Sequence, residues 1–368
     1  MRSNQTQEIH LVVGARPNYI KANPVYQALS ELNQFHLKLI NTGQHYDHNM
    51  STLFFDELKM KSPHINLEIG SNSHGAQTAK IMERYERVLM DASPKLVIVF
   101  GDVNSTIACA LAAVKLHIPV AHVEAGLRSF DRSMPEEINR ILTDQISELL
   151  FITSQEAEIN LNNEGVASDN IHFVGNTMID SLVIFREKFF ASTIKEQLNL
   201  YQPFILITLH RPSNVDKREN LQALVQAFEK VAESLDCVFP VHPRTRRKLD
   251  NLGLLNQLQL NPRFHILEPI GYIDFMRLQN DASVILTDSG GVQEESTFFG
   301  VPCLTIRDNT ERPVTITHGT NKLIGTKYNN IPNEVEQAVS LPVKSKTSPK
   351  LWDGKAAYRI ATIIKNIF

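Results

Sequence analysis

The sequence predicts an α/β protein composed of two doubly wound domains that face a central cleft. The chain has 368 residues, which is long for one hydrophobic core and favours two domains. Short apolar segments rich in β-branched residues alternate with helix-like segments, the pattern of a parallel sheet covered by helices on both faces. The alternation begins again near Gly175, which divides the chain into two halves of domain size.

The first domain is predicted over residues 1–174. Its strands are short, continuous apolar runs, as expected when both faces of a sheet are buried. They are predicted at 9–13, 35–40, 94–100, 118–123, 148–153 and 171–174. Helices are predicted between them through the segments NPVYQALSEL, STIACALAAVKL and PEEINRILTDQIS.

The second domain is predicted over residues 175–350 and follows the same pattern. Its strands are predicted at 203–209, 237–241, 264–270, 282–287 and 301–306, the last of these being the final strand. The segment 351–368 is predicted to contain a helix. This helix either packs on the second domain or crosses back onto the first, and the spacing of the segments does not decide between the two.

Composition excludes several classes of protein. A net charge of −3 provides no basic field for nucleic acid or an anionic membrane. No apolar run approaches the ~20 residues that span a bilayer, and the polar start is unlike a signal peptide. Cys109, Cys237 and Cys303 are too few and too scattered for a disulfide framework. We therefore expect a reduced, cytoplasmic protein with its cysteines in the core.

No metal or cofactor is predicted. The thirteen histidines include no His-x-x-x-His pair, and the cysteines include no Cys-x-x-Cys pair. No Gly-x-Gly-x-x-Gly follows the first strand, so a nicotinamide cofactor has no support. The Walker phosphate-binding pattern is also missing from the sequence.

Charged residues follow the strands of the first domain, where open parallel sheets bind ligands. Arg16 and Lys21 accompany the first predicted helix start and suit an anion, or they are solvated charges of an ordinary turn. Asp102 follows the strand at 94–100 and is either functional or a helix cap. Glu124 ends the strand at 118–123, where a carboxylate is costly without partners, which favours a functional role.

Two further carboxylates, Glu136 and Glu137, lie in the first turn of a helix that begins at Pro135. A helix dipole alone accounts for acidic residues at this position, at about 0.3–1 kcal/mol each. The dipole does not account for Glu124 or for the nearby Arg128.

The second domain carries groups suited to a phosphate. His210 and Arg211 follow the strand at 203–209, and a basic cluster within 242–247 follows the next, with a solvated helix start as the alternative. After the strand at 282–287, Asp288 precedes a polar and glycine-rich helix start that offers free N–H groups to a diphosphate. The residues of that start are Ser289, Gly290 and Gly291.

An acid one turn into the same helix, Glu294 or Glu295, suits ribose hydroxyls, and Arg312 follows in the segment NTERPVT. The cations and the glycine-rich helix start thus lie mostly in the second domain, which predicts that this domain holds a nucleoside diphosphate. The clustered carboxylates of the first domain would then act as acids and bases on the attached group.

Seven segments together resemble the non-hydrolysing UDP-N-acetylglucosamine 2-epimerases. They are GARPNYIK, TGQHYD, GDVNST, HVEAGLRSFDRSMPEEINR, TLHRPSNVD, HPRTR and TDSGGVQEESTFFGVPCLTIRDNTERP. The resemblance runs from about residue 9 to about residue 325. It implies a glycosyltransferase-B-like fold of two Rossmann-like domains, a homodimer, and interconversion of UDP-GlcNAc and UDP-ManNAc without metal or NAD. UDP is eliminated to give a 2-acetamidoglucal and is then added back.

The resemblance also implies roles for individual residues, by matching motifs. Asp102, Glu124 and Glu136 are implied as the acid–base carboxylates, with Glu137 as the alternative to Glu136, and His210 is implied at the leaving pyrophosphate. The implied substrate-binding residues are Arg16, Lys21, Phe275 near the uracil, Ser289, Gly290 and Gly291 at the diphosphate, Glu295 at the ribose, and Arg312.

The sequence departs from the family pattern at Ala15–Asn18, Ala76–Thr78 and Gln44–His48. In many bacterial members the last two segments help bind a second, activating UDP-GlcNAc, so the resemblance does not imply that site here. Alternatives for the function are a 2-epimerase of UDP-2,3-diacetamido-uronic acids, a hydrolysing epimerase that releases ManNAc, a glycosyltransferase of the same fold, and an inactive nucleotide-sugar-binding regulator.

Overall fold

The computed structural model describes residues 7–44, 61–340 and 348–368. These residues form two compact units. Unit 1 contains the described residues up to Ile184 together with those from Lys350 onward, and unit 2 contains those between Phe185 and Pro349.

Unit 1 is built on a parallel sheet with the strand order β3-β2-β1-β4-β5-β6-β7 in the described part of the chain. The strands are β1 (Gln7–Val13), β2 (Phe35–Asn41), β3 (Ile65–Asn66), β4 (Leu96–Phe100), β5 (Val120–Ala125), β6 (Leu149–Ile152) and β7 (Ile171–Phe173). Every residue of β4 and β5 is buried, which explains the continuous apolar run of β4, whereas β5 also buries the polar residues His122 and Glu124.

Helices connect these strands and cover the sheet of unit 1. They are α1 (Arg16–Glu31), α2 (His74–Ala92), α3 (Asn104–Lys115), α4 (Pro135–Ile146), α5 (Gln155–Asn163), α6 (Thr177–Ile184) and, from the C-terminal segment, α17 (Ala356–Ile367). A core cluster joins α2 and α3 to the sheet through Tyr85, Cys109 and Val97, all fully buried.

Unit 2 has a second parallel sheet with the order β10-β9-β8-β11-β12-β13. Its strands are β8 (Phe204–Thr208), β9 (Asp236–Pro240), β10 (Phe264–Leu267), β11 (Val284–Thr287), β12 (Cys303–Thr305) and β13 (Asn321–Leu323). The prediction that the final strand lies within 301–306 is wrong, because β13 follows it, and β3 was also missed. These strands have three and two residues, too few to show a periodic pattern.

The helices of unit 2 alternate with its strands. They are α7 (Arg186–Phe190), α8 (Ile194–Gln197), α9 (Pro212–Val215), α10 (Arg218–Val231), α11 (Pro243–Asn251), α12 (Leu254–Gln259), α13 (Tyr272–Asp281), α14 (Gly290–Phe299), α15 (Val314–Thr317) and α16 (Ile331–Ser340). A core cluster of α10, α12, α16 and the strands contains Phe228 and Phe239, whose rings meet edge to face.

The chain divides between Ile184 and Phe185 rather than between Val174 and Gly175, where the sequence placed the boundary. The reason is the attachment of α6 to unit 1. Ser181 Oγ in α6 donates a hydrogen bond to the carbonyl oxygen of Ile20 at 2.6 Å. Asp180 accepts bonds from the first two N–H groups of α17, which also belongs to unit 1.

The three cysteines are free and buried. Burial raises the pKa of the Cys237 thiol to about 12 and that of Cys303 to about 11, so both are held as thiols at neutral pH. Among the residues that the structure describes, no helix is both long and apolar enough to cross a membrane.

Candidate active site

The strand order of unit 1 reverses beside β1, whose two neighbours are β2 and β4. Loops leave the carboxyl ends of such neighbouring strands in opposite directions, and the crevice between them is where doubly wound sheets bind ligands. Gly14 follows β1, and Gly101 and Asp102 follow β4. The predicted residue Asp102 therefore lies at the switch point of this sheet.

Gly14 is required by space rather than by an unusual backbone angle. A Cβ atom at this position would lie 2.2 Å from Ser105 Oγ and 2.6 Å from Thr42 Oγ1. Helix α1 starts directly afterwards, and Asn18 accepts hydrogen bonds from the N–H groups of Gly14 and Ala15. The exposed Arg16 is the first residue of that helix, and its contact with a ligand stays a prediction.

Lys21 and Glu124 form a buried ion pair. Lys21 Nζ lies 2.5 Å from Glu124 Oε2, and the two side chains are 5% and 4% exposed. A Cβ atom at Gly101 would lie 3.2 Å from the same Nζ atom, so the pair lies beside the turn that carries Asp102. The sequence suggested a phosphate or sugar contact for Lys21 and did not suggest this pairing.

Glu124 has a left-handed backbone, with φ of 76°. The register between β5 and β6 shifts between Val123 and Ala125, so Glu124 lies at a β-bulge. A left-handed backbone costs a residue other than glycine about 1–2 kcal/mol and persists only where neighbouring contacts impose it. Such strained positions and bulges are enriched at functional sites, and a functional role for Glu124 stays a prediction.

Arg140 in α4 links two carboxylates. Its Nη1 atom contacts the carboxylate of Asp102, and its Nε and Nη2 atoms donate to Glu137 Oε2 at 3.1 and 2.6 Å. The Arg140 side chain is 2% exposed, whereas that of Asp102 is 25% exposed. Asp102 is thus held in position by a buried guanidinium and still presents a face to solvent.

The structure separates Glu137 from Glu136. Glu137 is 1% exposed and accepts hydrogen bonds from the N–H groups of Ser129 and Phe130 as well as from Arg140. Burial alone raises the pKa of the Glu137 carboxyl, but these hydrogen bonds and the charge of Arg140 outweigh it, and its pKa is lowered. The half-buried Glu136 carboxylate has no hydrogen-bond or ion-pair partner in the described part of the chain. Glu137 therefore anchors the 126–134 loop, whereas Glu136 keeps its carboxylate unpaired among the described residues, and its acid–base role stays a prediction.

A second buried network lies behind Glu124, and sequence reasoning did not identify it. Asp144 in α4 contacts His122 Nδ1 at 2.6 Å and Arg128 Nη1 at 2.7 Å, and no part of its side chain is exposed. Burial raises the pKa of the Asp144 carboxyl, but the charges of His122 and Arg128 prevail and lower it. The available signal was a stripe of polar residues at 137, 140 and 144, one face of α4, which the structure buries against the sheet.

The strand order of unit 2 reverses beside β8, whose neighbours are β9 and β11. Asp288 follows β11 and is fully buried. It lies 3.0 Å from Nδ1 of His210 and accepts bonds from Arg211 N and Asn214 Nδ2. Burial raises the pKa of the Asp288 carboxyl, but these partners lower it overall. The predicted His210 is thereby oriented by a carboxylate, with its side chain 41% exposed.

The predicted diphosphate cradle and Arg312 come together at the start of α14. A Cβ atom on Gly290 would lie 2.5 Å from Arg312 Nη1 and 2.6 Å from Glu311 Oε1, so a larger residue there would displace these two side chains. Glu311 also accepts a bond from Arg307 at 2.8 Å. Burial raises the pKa of the Glu311 carboxyl, but the charges of Arg312 and Arg307 lower it well below its usual range. Ser289 occupies the N-cap position of α14.

Glu295 lies one turn into α14 and is 5% exposed. Its Oε2 atom accepts a hydrogen bond from Gln279 Nε2 in α13 at 2.6 Å. The predicted uracil-binding residue Phe275 lies one turn before Gln279 in the same helix and is half-buried. Helix α13 therefore connects the two residues predicted at opposite ends of the nucleoside.

Other candidates have partners of their own. In the basic cluster, Arg244 Nη2 pairs with Asp216 at 2.5 Å and Arg246 with Glu268 at 2.8 Å, which favours the interpretation of a charged helix start. Gln77 is buried and bonds to Gly70 and Asn104, while His45–His48 lie outside the described residues.

Across residues 7–44, 61–340 and 348–368, no three His, Cys, Asp or Glu side chains are grouped to hold a metal ion.

Comparison with known proteins identifies the family. A family model described as UDP-N-acetylglucosamine 2-epimerase matches residues 27–365. The chain belongs to the UDP-N-acetylglucosamine 2-epimerase family. It is 42% identical to the UDP-N-acetylglucosamine 2-epimerase of Methanocaldococcus jannaschii, over 97% of this chain and 98% of that one. The family membership expected from the sequence motifs is confirmed.

A solved structure and a second relative are also similar to this chain. The crystal structure of the M. jannaschii UDP-GlcNAc 2-epimerase in complex with UDP-GlcNAc and UDP is similar, with a TM-score of 0.91 at 41% identity, covering 98% of this chain and 99% of that one. The UDP-2,3-diacetamido-2,3-dideoxy-D-glucuronate 2-epimerase of Pseudomonas aeruginosa is 41% identical over 98% of this chain and all of its own. The predicted class of two Rossmann-like domains, glycosyltransferase-B-like, is confirmed.

Proposed function

We propose that this chain is a non-hydrolysing 2-epimerase that interconverts UDP-GlcNAc and UDP-ManNAc for surface-polysaccharide precursors. The observation that carries the proposal is the group of carboxylates and cations at the carboxyl edge of the first sheet. Asp102 there is held by Arg140, and Glu124 is paired with Lys21 in a strained backbone. Family membership supplies the substrate class.

The chemistry explains why several carboxylates are needed. In the elimination, a carboxylate removes the C2 proton, the C1–O bond to UDP breaks with its electron pair, and a C1=C2 double bond forms. The transition state carries positive charge near C1, which carboxylates stabilise. In the addition, UDP oxygen attacks C1 and a proton is delivered to the opposite face of C2. Asp102, Glu124 and Glu136 are the groups that we assign to these proton transfers.

Unit 2 supplies the groups for the leaving UDP. We assign His210 to the pyrophosphate, the start of α14 with Arg312 to the diphosphate, Glu295 to the ribose and Phe275 to the uracil. A nucleoside diphosphate suits a helix start whose N–H groups are free and whose first residues are glycines. Arg16 in unit 1 is the exposed cation that we assign to phosphate or sugar.

The test is incubation with UDP-GlcNAc in D₂O without added metal or NAD, followed by proton and phosphorus NMR. We expect UDP-ManNAc with deuterium at C2, because the abstracted proton exchanges with solvent. Free ManNAc with UDP would instead establish a hydrolysing epimerase. Binding without any conversion of UDP-GlcNAc or related UDP-sugars would establish a regulator.

A second substrate is supported by the P. aeruginosa relative, whose name gives a 2,3-diacetamido-glucuronate as its sugar. This alternative has the same reaction at C2 and differs in the groups on C3 and C6. The same NMR experiment is repeated with the diacetamido-uronic acid UDP-sugar. Comparison of kcat/KM for this sugar and for UDP-GlcNAc shows which of the two is the preferred substrate. We also propose that the protein is a cytoplasmic homodimer. Light scattering of the purified protein measures its molar mass in solution and so tests the dimer.

A further inference from the structure

We infer that Asp144 is a positioning residue for two of the candidate carboxylates, and that it acts on one of them through His122. This inference rests on the proposed function, in which Glu124 and Asp102 exchange protons with the sugar. Neither Asp144 nor His122 needs to touch the substrate for this role.

Asp144 contacts residues on both sides of Glu124, one through its side chain and one through its backbone. Its Oδ1 atom contacts Nδ1 of His122, two residues before Glu124, at 2.6 Å. Its Oδ2 atom accepts the N–H of Gly126, two residues after Glu124, at 3.0 Å. One carboxylate thus fixes both flanks of the bulge in which Glu124 has its left-handed backbone, and a strained backbone needs such contacts to persist.

His122 extends this constraint to the neighbouring strand. Its Nε2 atom lies 2.8 Å from the carbonyl oxygen of Gly101, the residue immediately before Asp102. Because each ring nitrogen faces an oxygen acceptor, the ring is placed to donate a hydrogen bond on both sides. The chain of contacts from Asp144 through His122 therefore ends at the turn that carries Asp102.

The burial of this network argues against a role in stability alone. Asp144 and His122 are 0% exposed and the Arg128 side chain is 1% exposed. Buried ion pairs contribute little net stability compared with apolar side chains of the same volume, because removing charges from water is costly. Such pairs are of use where they impose one geometry. This network contacts the backbone beside two candidate catalytic carboxylates, at Gly126 two residues after Glu124 and at Gly101 immediately before Asp102. A misplacement of about 1 Å in such a group costs about 10²-fold in rate.

The test compares kcat, KM and UDP affinity for Asp144→Asn and two His122 variants. His122→Asn keeps an amide near Asp144 and loses the contact with Gly101, whereas His122→Gln does the reverse. His10→Asn is the matched control. His10 is also fully buried in the same sheet, and its ring nitrogens contact Tyr85 and Glu8, neither of which belongs to the Asp144 network in the described part of the chain. Melting temperatures are measured for all four.

We expect Asp144→Asn and His122→Asn to lower kcat by about 10–100-fold with UDP affinity unchanged. We expect His122→Gln to recover part of the loss, and His10→Asn to keep kcat even where its melting temperature falls. Wild-type kcat in both Asp144→Asn and His122→Asn would overturn the inference. The inference would also be overturned if kcat fell in all four variants in proportion to the fall in melting temperature.

A crystal structure of Asp144→Asn provides a readout that does not depend on activity. We expect Glu124 to leave the left-handed conformation or to separate from Lys21, and an unchanged Glu124 would overturn the inference. If the wild-type protein and His10→Asn both fail to turn over UDP-sugars, the proposed function fails, and this structure still decides whether Asp144 positions Glu124.

Discussion

Lys21 and Glu124 form an ion pair, with Nζ 2.5 Å from Oε2, and 5% or less of either side chain is exposed. The sequence does not reveal this pairing, because Lys21 lies in α1 and Glu124 lies in β5, far apart along the chain. The pair ties a predicted ligand-binding cation to a predicted acid–base carboxylate. Any change to one of them therefore also affects the other.

We predict that Glu124→Gln lowers both kcat and stability. Removing one partner leaves Lys21 as an uncompensated buried charge, which costs about 3–5 kcal/mol. The double change of Lys21→Met with Glu124→Met should restore the free energy of unfolding, measured by urea titration, while turnover stays absent. Recovery of turnover in the double variant would exclude Glu124 from the chemistry.

We predict that Asp102→Asn lowers kcat by at least about 10²-fold, because an amide cannot accept the C2 proton. UDP affinity should change little, since Asp102 is not among the residues that we assign to UDP binding. Calorimetry with UDP and the D₂O exchange assay measure the two effects separately. Retained deuterium exchange at C2 in this variant would assign the proton transfer to another carboxylate.

We predict opposite effects for the two neighbouring glutamates of α4. Glu136→Gln should lower kcat and leave the melting temperature unchanged, because this carboxylate has no partner among the described residues. Glu137→Gln should lower the free energy of unfolding by about 3 kcal/mol, because it removes the charge that Arg140 and the 126–134 loop bind. The reverse pattern of kcat and melting temperature would make Glu137 the acid–base residue.

We predict that Glu295→Ala weakens UDP binding by roughly 10-fold or more, a loss typical of hydrogen bonds to a charged group. Isothermal titration with UDP and with uracil measures this, since uracil lacks the ribose that Glu295 is proposed to hold. The exposed Glu336 in α16 provides the control Glu336→Ala, which should bind UDP normally. Equal affinities for UDP in both variants would remove Glu295 from the site.

We predict a pH-dependent gain in stability for Asp180→Asn. Burial raises the pKa of Asp180 to about 6 from 3.8, although the N–H groups of Ala357 and Ala356 oppose this. The folded protein therefore binds the proton more tightly than the unfolded chain, and stability falls as pH rises from about 4 to 6. Between pH 4 and pH 7, the stability of Asp180→Asn relative to the wild type should therefore rise by about 2 kcal/mol.

Chemical denaturation at pH 4 and pH 7 checks this result. Asp169 is an exposed carboxylate of unit 1, and Asp169→Asn should show no such pH dependence. A variant Asp180→Asn that is equally destabilised at both pH values would mean that the helix-capping bonds to α17 outweigh the buried charge.

The sequence by itself determined the order of strands and helices and the positions of the charged residues relative to them. Apolar periodicity is a local property, so the strands that end before Asp102, His210 and Asp288, and the strand that carries Glu124, were visible without a structure. The strands β3 and β13 were too short to produce a pattern.

Only the tertiary structure decided which charges pair. Asp102 meets Arg140, His122 meets Asp144, and Lys21 meets Glu124, each across a separation in sequence that periodicity cannot cover. The same applies to Glu136 and Glu137, which are equivalent by helix dipole and differ only because α4 turns one of them toward the 126–134 loop. Electrostatic interactions depend on distance in space and on exclusion of water, and both are set when the sheet and its helices pack together.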